Sequence, residues 1–158
     1  MGKSKLNKGL FSSNTSEWGT PQKLFDELND EFHFTLDPCC SEESKKCEKY
    51  FTDKDDGLTQ DWSNDIVFMN PPYGNVISQW AEKAHNESLR GSTVVGLLPA
   101  RVDTRWFHNF IYHKAEIRFI KGRLKFERFG ENKPCKYFNS AAPFPSMIVV
   151  WTNKETNE

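Results

Sequence analysis

Apolar positions along the chain switch repeatedly between helical spacing and short continuous or alternating runs, as expected when helices alternate with strands. Leu24, Phe25, Leu28 and Phe32 follow helical spacing. Thr20 before them reads as an N-cap, with Pro21 in the first turn. Phe32, Phe34 and Leu36 then alternate with polar residues and predict a short strand ending at Asp37-Pro38. A polar helix is expected over Glu42 to Tyr50. After an acidic loop, Ile66-Val67-Phe68-Met69 predicts a second strand, stopped by Asn70-Pro71-Pro72-Tyr73-Gly74. Val76, Ile77, Trp80, Ala81 and Ala84 predict a helix reaching about Leu89, and Thr93 to Leu98 a buried strand ended by Pro99. Asp103 is placed to cap a helix whose apolar face holds Trp106, Phe107, Phe110 and Ile111. Glu116 to Ile120 and Arg123 to Phe129 read as strands near a sheet edge, and Met147 to Trp151 as the last strand. Gly130 to Ser146 reads as a long loop.

This alternation predicts an α/β sheet with helices on both faces, closed by a late antiparallel piece. The expected organisation is a basic arm over 1–16, one domain over 17–152 and a short tail over 153–158. Ligands of such sheets sit beyond the carboxyl ends of the strands. Asp37-Pro38, Asn70 to Tyr73 and Pro99-Ala100-Arg101 all fall there.

At 158 residues, 37% hydrophobic, the chain suits one core. No apolar run approaches a membrane span, and Met1 to Ser16 lacks the apolar stretch of a signal peptide, so a cytoplasmic protein without membrane contact is expected. The four cysteines show no CxxC spacing and the four histidines no HExxH pattern, so neither a metal site nor a disulfide framework is expected. Charge is unevenly spread. Residues 17–65 carry 14 acidic and 5 basic side chains, whereas residues 101–137 carry 10 basic and 4 acidic ones. Such asymmetry suits one face for a polyanion, although a solvated basic surface would look the same.

The stop after the second apolar strand carries the most specific chemistry. An amine conjugated to an aromatic base is a poor nucleophile, because its lone pair is delocalised into the ring. Two acceptors set on its two N–H bonds draw that lone pair out of conjugation. Asn70 offers a side-chain carbonyl, and Pro71 a main-chain carbonyl whose direction is restricted by the flanking Pro72. Tyr73 offers a π face on which a base can stack. The plain alternative is a rigid turn that ends a strand. The apolar strand before the motif, and the glycine and helix after it, favour the chemical reading.

Asn70 to Tyr73 resembles motif IV of amino-methyltransferases that use S-adenosylmethionine. Six further patches extend the likeness: Trp18 to Pro21; Leu36-Asp37-Pro38; Asp56-Gly57-Leu58 with Trp62; Leu98 to Arg101 with Asp103-Thr104; Gly122 to Phe126; and Ala142 to Ser146. Together they resemble the phage and prophage Dam-like family of DNA N-6-adenine methyltransferases. The resemblance implies a compact Rossmann-like methyltransferase sheet, S-adenosylmethionine as cofactor, double-stranded DNA as partner and a bacterial host cell as setting. It implies that Trp18, Thr20 and Pro21 hold the methionine end of the cofactor, and that Asp37, beside Pro38, accepts from its ammonium group, the plain alternative being an aspartate that caps the following turn. Asp56 would meet the cofactor's adenine amine, with Asp53, Asp55 and Asp61 as neighbouring alternatives. One departure is plain: no glycine lies between Gly19 and Gly57, where cofactor-binding methyltransferases commonly place them after the first strand. The second strand, with its ribose-binding acid, is also hard to find between Tyr50 and Asp56.

For DNA, Arg101, Arg105, Arg123 and Lys125 are the expected phosphate contacts. The loop from Gly130 to Ser146 is expected to read bases, with Lys133, Lys136 and Asn139. Phe144 reads equally as a face for the base or as core. Trp80, Trp106, Phe107 and Phe110 read as helix packing. The same amine chemistry on RNA or on a protein glutamine is the alternative enzyme reading, and a DNA-binding module that has lost catalysis comes third. Oligomeric state is not fixed by the sequence.

Overall fold

The computed structural model describes residues 18–127 and 141–153. Its elements in chain order are α1 (Gln22–Phe32), β1 (Leu36–Asp37), β2 (Lys49–Tyr50), a 3-10 turn (Gly57–Thr59), β3 (Ile66–Met69), α2 (Ile77–Leu89), β4 (Thr93–Pro99), α3 (Arg105–Phe110), β5 (Glu116–Phe119) and β6 (Ser146–Trp151). The strands form one six-stranded sheet in the order β2-β1-β3-β4-β6-β5. The first four run parallel, and β6 is antiparallel to both β4 and β5. This is the expected α/β Rossmann-like sheet with its late antiparallel pair.

The central strands are buried on both faces, which is why they read as unbroken apolar runs. Val67, Met69, Val94, Leu98, Met147, Val149 and Trp151 face one side, where α2 and α3 bring Trp80, Ala81, Ala84, Trp106 and Phe107. Phe68, Val95, Leu97, Ile148 and Val150 face the other, against Phe25 and Leu28 of α1. Gly96 leaves room for an aromatic neighbour, since a β-carbon there would stand 3.1 Å from the Trp151 ring.

Five local expectations are corrected. No helix forms over Glu42 to Tyr50. Ser41 and Ser44 close a side-chain turn on each other's backbone N–H groups, at 2.9 and 3.1 Å, which competes with helix hydrogen bonding. The Lys46 N–H then donates to Asp37 Oδ2 at 3.0 Å. The chain so released pairs as β2, and the second strand that was hard to place is therefore Lys49–Tyr50, only two residues long. At α1 the N-cap position belongs to Pro21 and carries no side-chain cap, because the Thr20 hydroxyl accepts from Asn70. At α3 the cap is Thr104, not Asp103, with Oγ1 accepting from the Phe107 N–H at 3.3 Å. The segment from Arg123 is not a strand within the described residues; it makes one isolated bridge, Gly19 with Glu127. Ser146, expected at the end of the loop, already belongs to β6. The arm over 1–16, Lys133, Lys136 and Asn139 lie outside the described residues. Among those described, no helix is long and apolar enough to cross a membrane.

The order of the strands sets where a ligand can enter. From β1 the chain moves outward to β2, then returns to the other side of β1 as β3. Loops leaving the carboxyl ends of β1 and β3 therefore diverge, opening a crevice between them. Asp37 ends β1 and Asn70 follows β3, so topology alone brings both to its rim.

Candidate active site

A cavity of about 510 Å³ fills that crevice, within the range of small-molecule sites. Of the residues expected to hold a cofactor, Trp18, Thr20, Asp37, Pro38 and Asp56 line it, and Pro21 does not. Asn70 and Pro72 line it too, whereas Pro71 and Tyr73 do not. The acidic loop is sorted by its hydrogen bonds. Asp55 Oδ2 accepts from the Thr52 N–H at 2.9 Å and Asp61 Oδ1 from the Ser63 N–H at 2.9 Å, so both serve local turns. Asp53 and Asp56 are exposed side chains on the cavity wall. Asp53 stands three residues beyond β2, at the strand end where a ribose-binding acid was sought.

Asp37 is 3% exposed. Burial pushes its carboxyl up to about 6, against the partly compensating N–H groups of Lys46 and Cys39. The Cys40 side chain and the Lys46 charge also favour the ionised form, yet burial prevails, and a buried carboxylate on the wall of a cavity is fitted to a cationic ligand group. Burial also pushes the thiols of Cys39, Cys40 and Cys47 up, Cys47 to about 12. They stay protonated at neutral pH and act as small apolar or weakly donating groups. Cys40 Sγ, for instance, donates to the Phe51 carbonyl at 3.6 Å.

The glycine missing after β1 is matched from across the crevice. A β-carbon at Gly57 would stand 2.0 Å from the Pro38 carbonyl oxygen. The loop after β1 and the acidic loop thus meet backbone to backbone, which only glycine permits. The Gly57 carbonyl also accepts from the buried Trp62 Nε1 at 2.9 Å, which anchors this turn to the core. Gly57→Ala is expected to lower stability by about 1–3 kcal/mol and to weaken ligand binding in the cavity. The midpoint of urea unfolding checks this, and an unchanged midpoint would remove Gly57 from the frame of the site.

Sequence reasoning missed the part of the wall that α2 supplies. Val76, Gln79 and Trp80 line the cavity. Trp80 is nonetheless the helix packing residue it was read as, 7% exposed and stacked on Trp62 at 6.2 Å between centroids. A residue that faces core and cavity together shows only its core periodicity in the sequence.

Asn70 is held from one side. Its Nδ2 donates to the Trp18 carbonyl and, at 3.0 Å, to Thr20 Oγ1. Its Oδ1 is buried and has no hydrogen-bond partner. Beside it, Trp18, Tyr73 and Phe144 form a half-buried aromatic cluster, with Phe144 5.3 Å from Trp18 and 5.5 Å from Tyr73. The Tyr73 hydroxyl donates to the Leu97 carbonyl at 3.1 Å, fixing the ring over β4. An unpartnered acceptor, a buried anion and an aromatic wall thus share one end of the sheet.

Known proteins carry the same arrangement of sequence. The family model of DNA N-6-adenine-methyltransferase (Dam) matches residues 8–158. The chain belongs to that family. It is 31% identical to the DNA N-6-adenine-methyltransferase of Haemophilus phage HP1 (strain HP1c1) over 155 residues, covering 87% of this chain and 90% of the phage protein. It is 32% identical to the DNA N-6-adenine-methyltransferase of Escherichia phage T1 over 109 residues, or 68% of this chain and 45% of that one.

The cationic surface is partly spent on structure. Arg118 forms a bidentate pair with Glu31, at 2.7 Å to each oxygen, and also bonds Glu116. Arg123 Nη1 donates to the Ala142 carbonyl at 3.3 Å. Arg101, Arg105 and Lys125 are exposed. Arg101 and Arg105 follow the carboxyl end of β4, the same end of the sheet as Asn70.

Proposed function

We propose that this chain transfers a methyl group from S-adenosylmethionine to the N6 amine of an adenine turned out of double-stranded DNA. The observation that carries this reading is the buried, unpartnered Oδ1 of Asn70 beside a cavity that holds a buried carboxylate. The residues present suit the cofactor: Asp37 for its ammonium group, Asp53 or Asp56 for hydroxyl or amine donors, and Trp80 and Pro38 for apolar contact. When bound, S-adenosylmethionine supplies an electrophilic methyl group on a sulfonium centre.

The chain's own part is to bind, orient and polarise. Asn70 Oδ1 and the Pro71 carbonyl accept the two hydrogens of the target amine, drawing its lone pair away from the ring. A paired adenine has that amine engaged with its partner base inside the stack, so it must leave the helix to reach a half-buried asparagine. Trp18, Tyr73 and Phe144 offer the flipped base an aromatic wall in exchange for lost stacking. Arg101, Arg105, Arg123 and Lys125 neutralise phosphates, and Lys133, Lys136 and Asn139 read bases. DNA in a bacterial cytoplasm is where such a substrate is met.

The test supplies purified protein with methyl-labelled S-adenosylmethionine and unmethylated duplex DNA, then digests the DNA and identifies the labelled nucleoside. Label is expected in N6-methyladenine. Label that enters only RNA or protein acceptors would overturn the DNA reading, and failure to bind the cofactor would overturn the whole.

A further inference from the structure

Asparagine can meet a substrate amine with its oxygen only if the carboxamide is held in one of two senses, related by a half-turn. Oxygen and NH2 are nearly the same size, so packing cannot choose between them; hydrogen bonding must. The Trp18 carbonyl has no hydrogen to give, so it accepts only from Nδ2 and selects one sense. Thr20 Oγ1 takes the second Nδ2 hydrogen, at 3.0 Å, from a residue only 3% exposed. Both hydrogens are thereby used on one side, and Oδ1 is left free on the other.

Those two acceptors flank Gly19, which is itself clamped. The Gly19 N–H donates to the Glu127 carbonyl at 2.9 Å, and its carbonyl accepts from the Glu127 N–H at 2.8 Å. The Glu127 carboxylate accepts from the Gln22 N–H at 2.8 Å, tying the start of α1 to the same point.

We propose that Trp18 to Thr20 form a positioning strap for the Asn70 carboxamide, in which the Trp18 carbonyl sets its sense and the Thr20 hydroxyl fixes its orientation. This rests on the role given to Asn70 above. It assigns Thr20 a place in turnover distinct from the cofactor contact that its position in the sequence implies.

Thr20→Val removes the acceptor and keeps the branched shape. It is expected to lower kcat for DNA methylation about tenfold or more, because one buried Nδ2 hydrogen loses its partner and the carboxamide, its sense still set by the Trp18 carbonyl, is free to rotate away from the productive orientation. Cofactor Kd and the KM for DNA are expected to stay within about twofold, and Thr20→Ser to return kcat to within about threefold of the parent. Thr20→Ala poses the same test without the second methyl group, should valine not be accommodated. An independent readout is the Asn70 side-chain NH2 in the NMR spectrum of ligand-free protein. Its hydrogens should exchange slowly in the parent and faster in Thr20→Val. Weakened cofactor binding with unchanged kcat would make Thr20 a cofactor ligand and overturn the strap, as would no change in either. A parent that methylates no DNA adenine, yet shows the same loss of protection in Thr20→Val, would support the strap while sinking the substrate reading.

Discussion

Asn70→Ala is expected to cut DNA adenine methylation at least about a hundredfold while cofactor affinity stays within about twofold. Removing one preorganised hydrogen-bonding group at a reacting centre commonly costs a factor of 10² to 10³ in turnover. Here the group lost is the acceptor that pulls the amine lone pair toward reaction, so the effect should fall on kcat. Alanine also releases the Trp18 carbonyl and the Thr20 hydroxyl, but the strap remains fixed through Gly19 and Glu127. The fold should therefore survive, and the thermal midpoint and cofactor titration serve as controls. A variant that retains more than a third of parental kcat would remove Asn70 from the chemistry.

Asp37→Asn is the second large effect, and it falls on binding. A charged hydrogen-bond partner of a cationic ligand contributes about 2–3 kcal/mol, so cofactor affinity should fall roughly 30- to 150-fold. Stability should change in its dependence on pH. Burial raises this carboxyl to about 6 in the folded chain, so the native state holds its proton more tightly than the unfolded one. Asp37 therefore stabilises the ligand-free fold least once ionised, its stabilising effect being lost as pH rises from near 4 through about 6. Neutral asparagine avoids that cost but cannot accept from both the Cys39 and Lys46 N–H groups, so the ligand-free variant should instead lose the fall in stability that the parent shows between about pH 4 and 6. In the parent, cofactor affinity should fall as pH drops below about 6, where the carboxylate is protonated. Isothermal titration at pH 5 and pH 8 with parent and variant checks both. Equal affinity of the two proteins at pH 8 would exclude Asp37 from cofactor binding.

The proposed catalytic loop could be singled out in the sequence because its residues are contiguous. Asn70 to Tyr73 stand together after an apolar strand, and strand, stop and helix are each set by local periodicity. The buried strands β3, β4 and β6 were legible for the same reason, since burial on both faces leaves an unbroken apolar run. The segment from Glu42 to Tyr50 misled because its polar composition suits a helix, while the Ser41–Ser44 turn and the Asp37 carboxylate claim its backbone donors. Thr20 misled as a cap because its hydroxyl is claimed by a residue fifty positions away.

The sequence by itself determined the sheet class, the Asn-Pro-Pro-Tyr stop after β3 and the acidic end of β1, because each depends on neighbours a few residues apart. Only the tertiary structure decided which acids face the cavity, that Gly57 replaces the absent glycine after β1, that α2 supplies a wall, and which way the Asn70 amide points. Those features are contacts between segments far apart in the chain. Hydrogen bonds and close backbone approaches of that kind leave no period in the residues that make them.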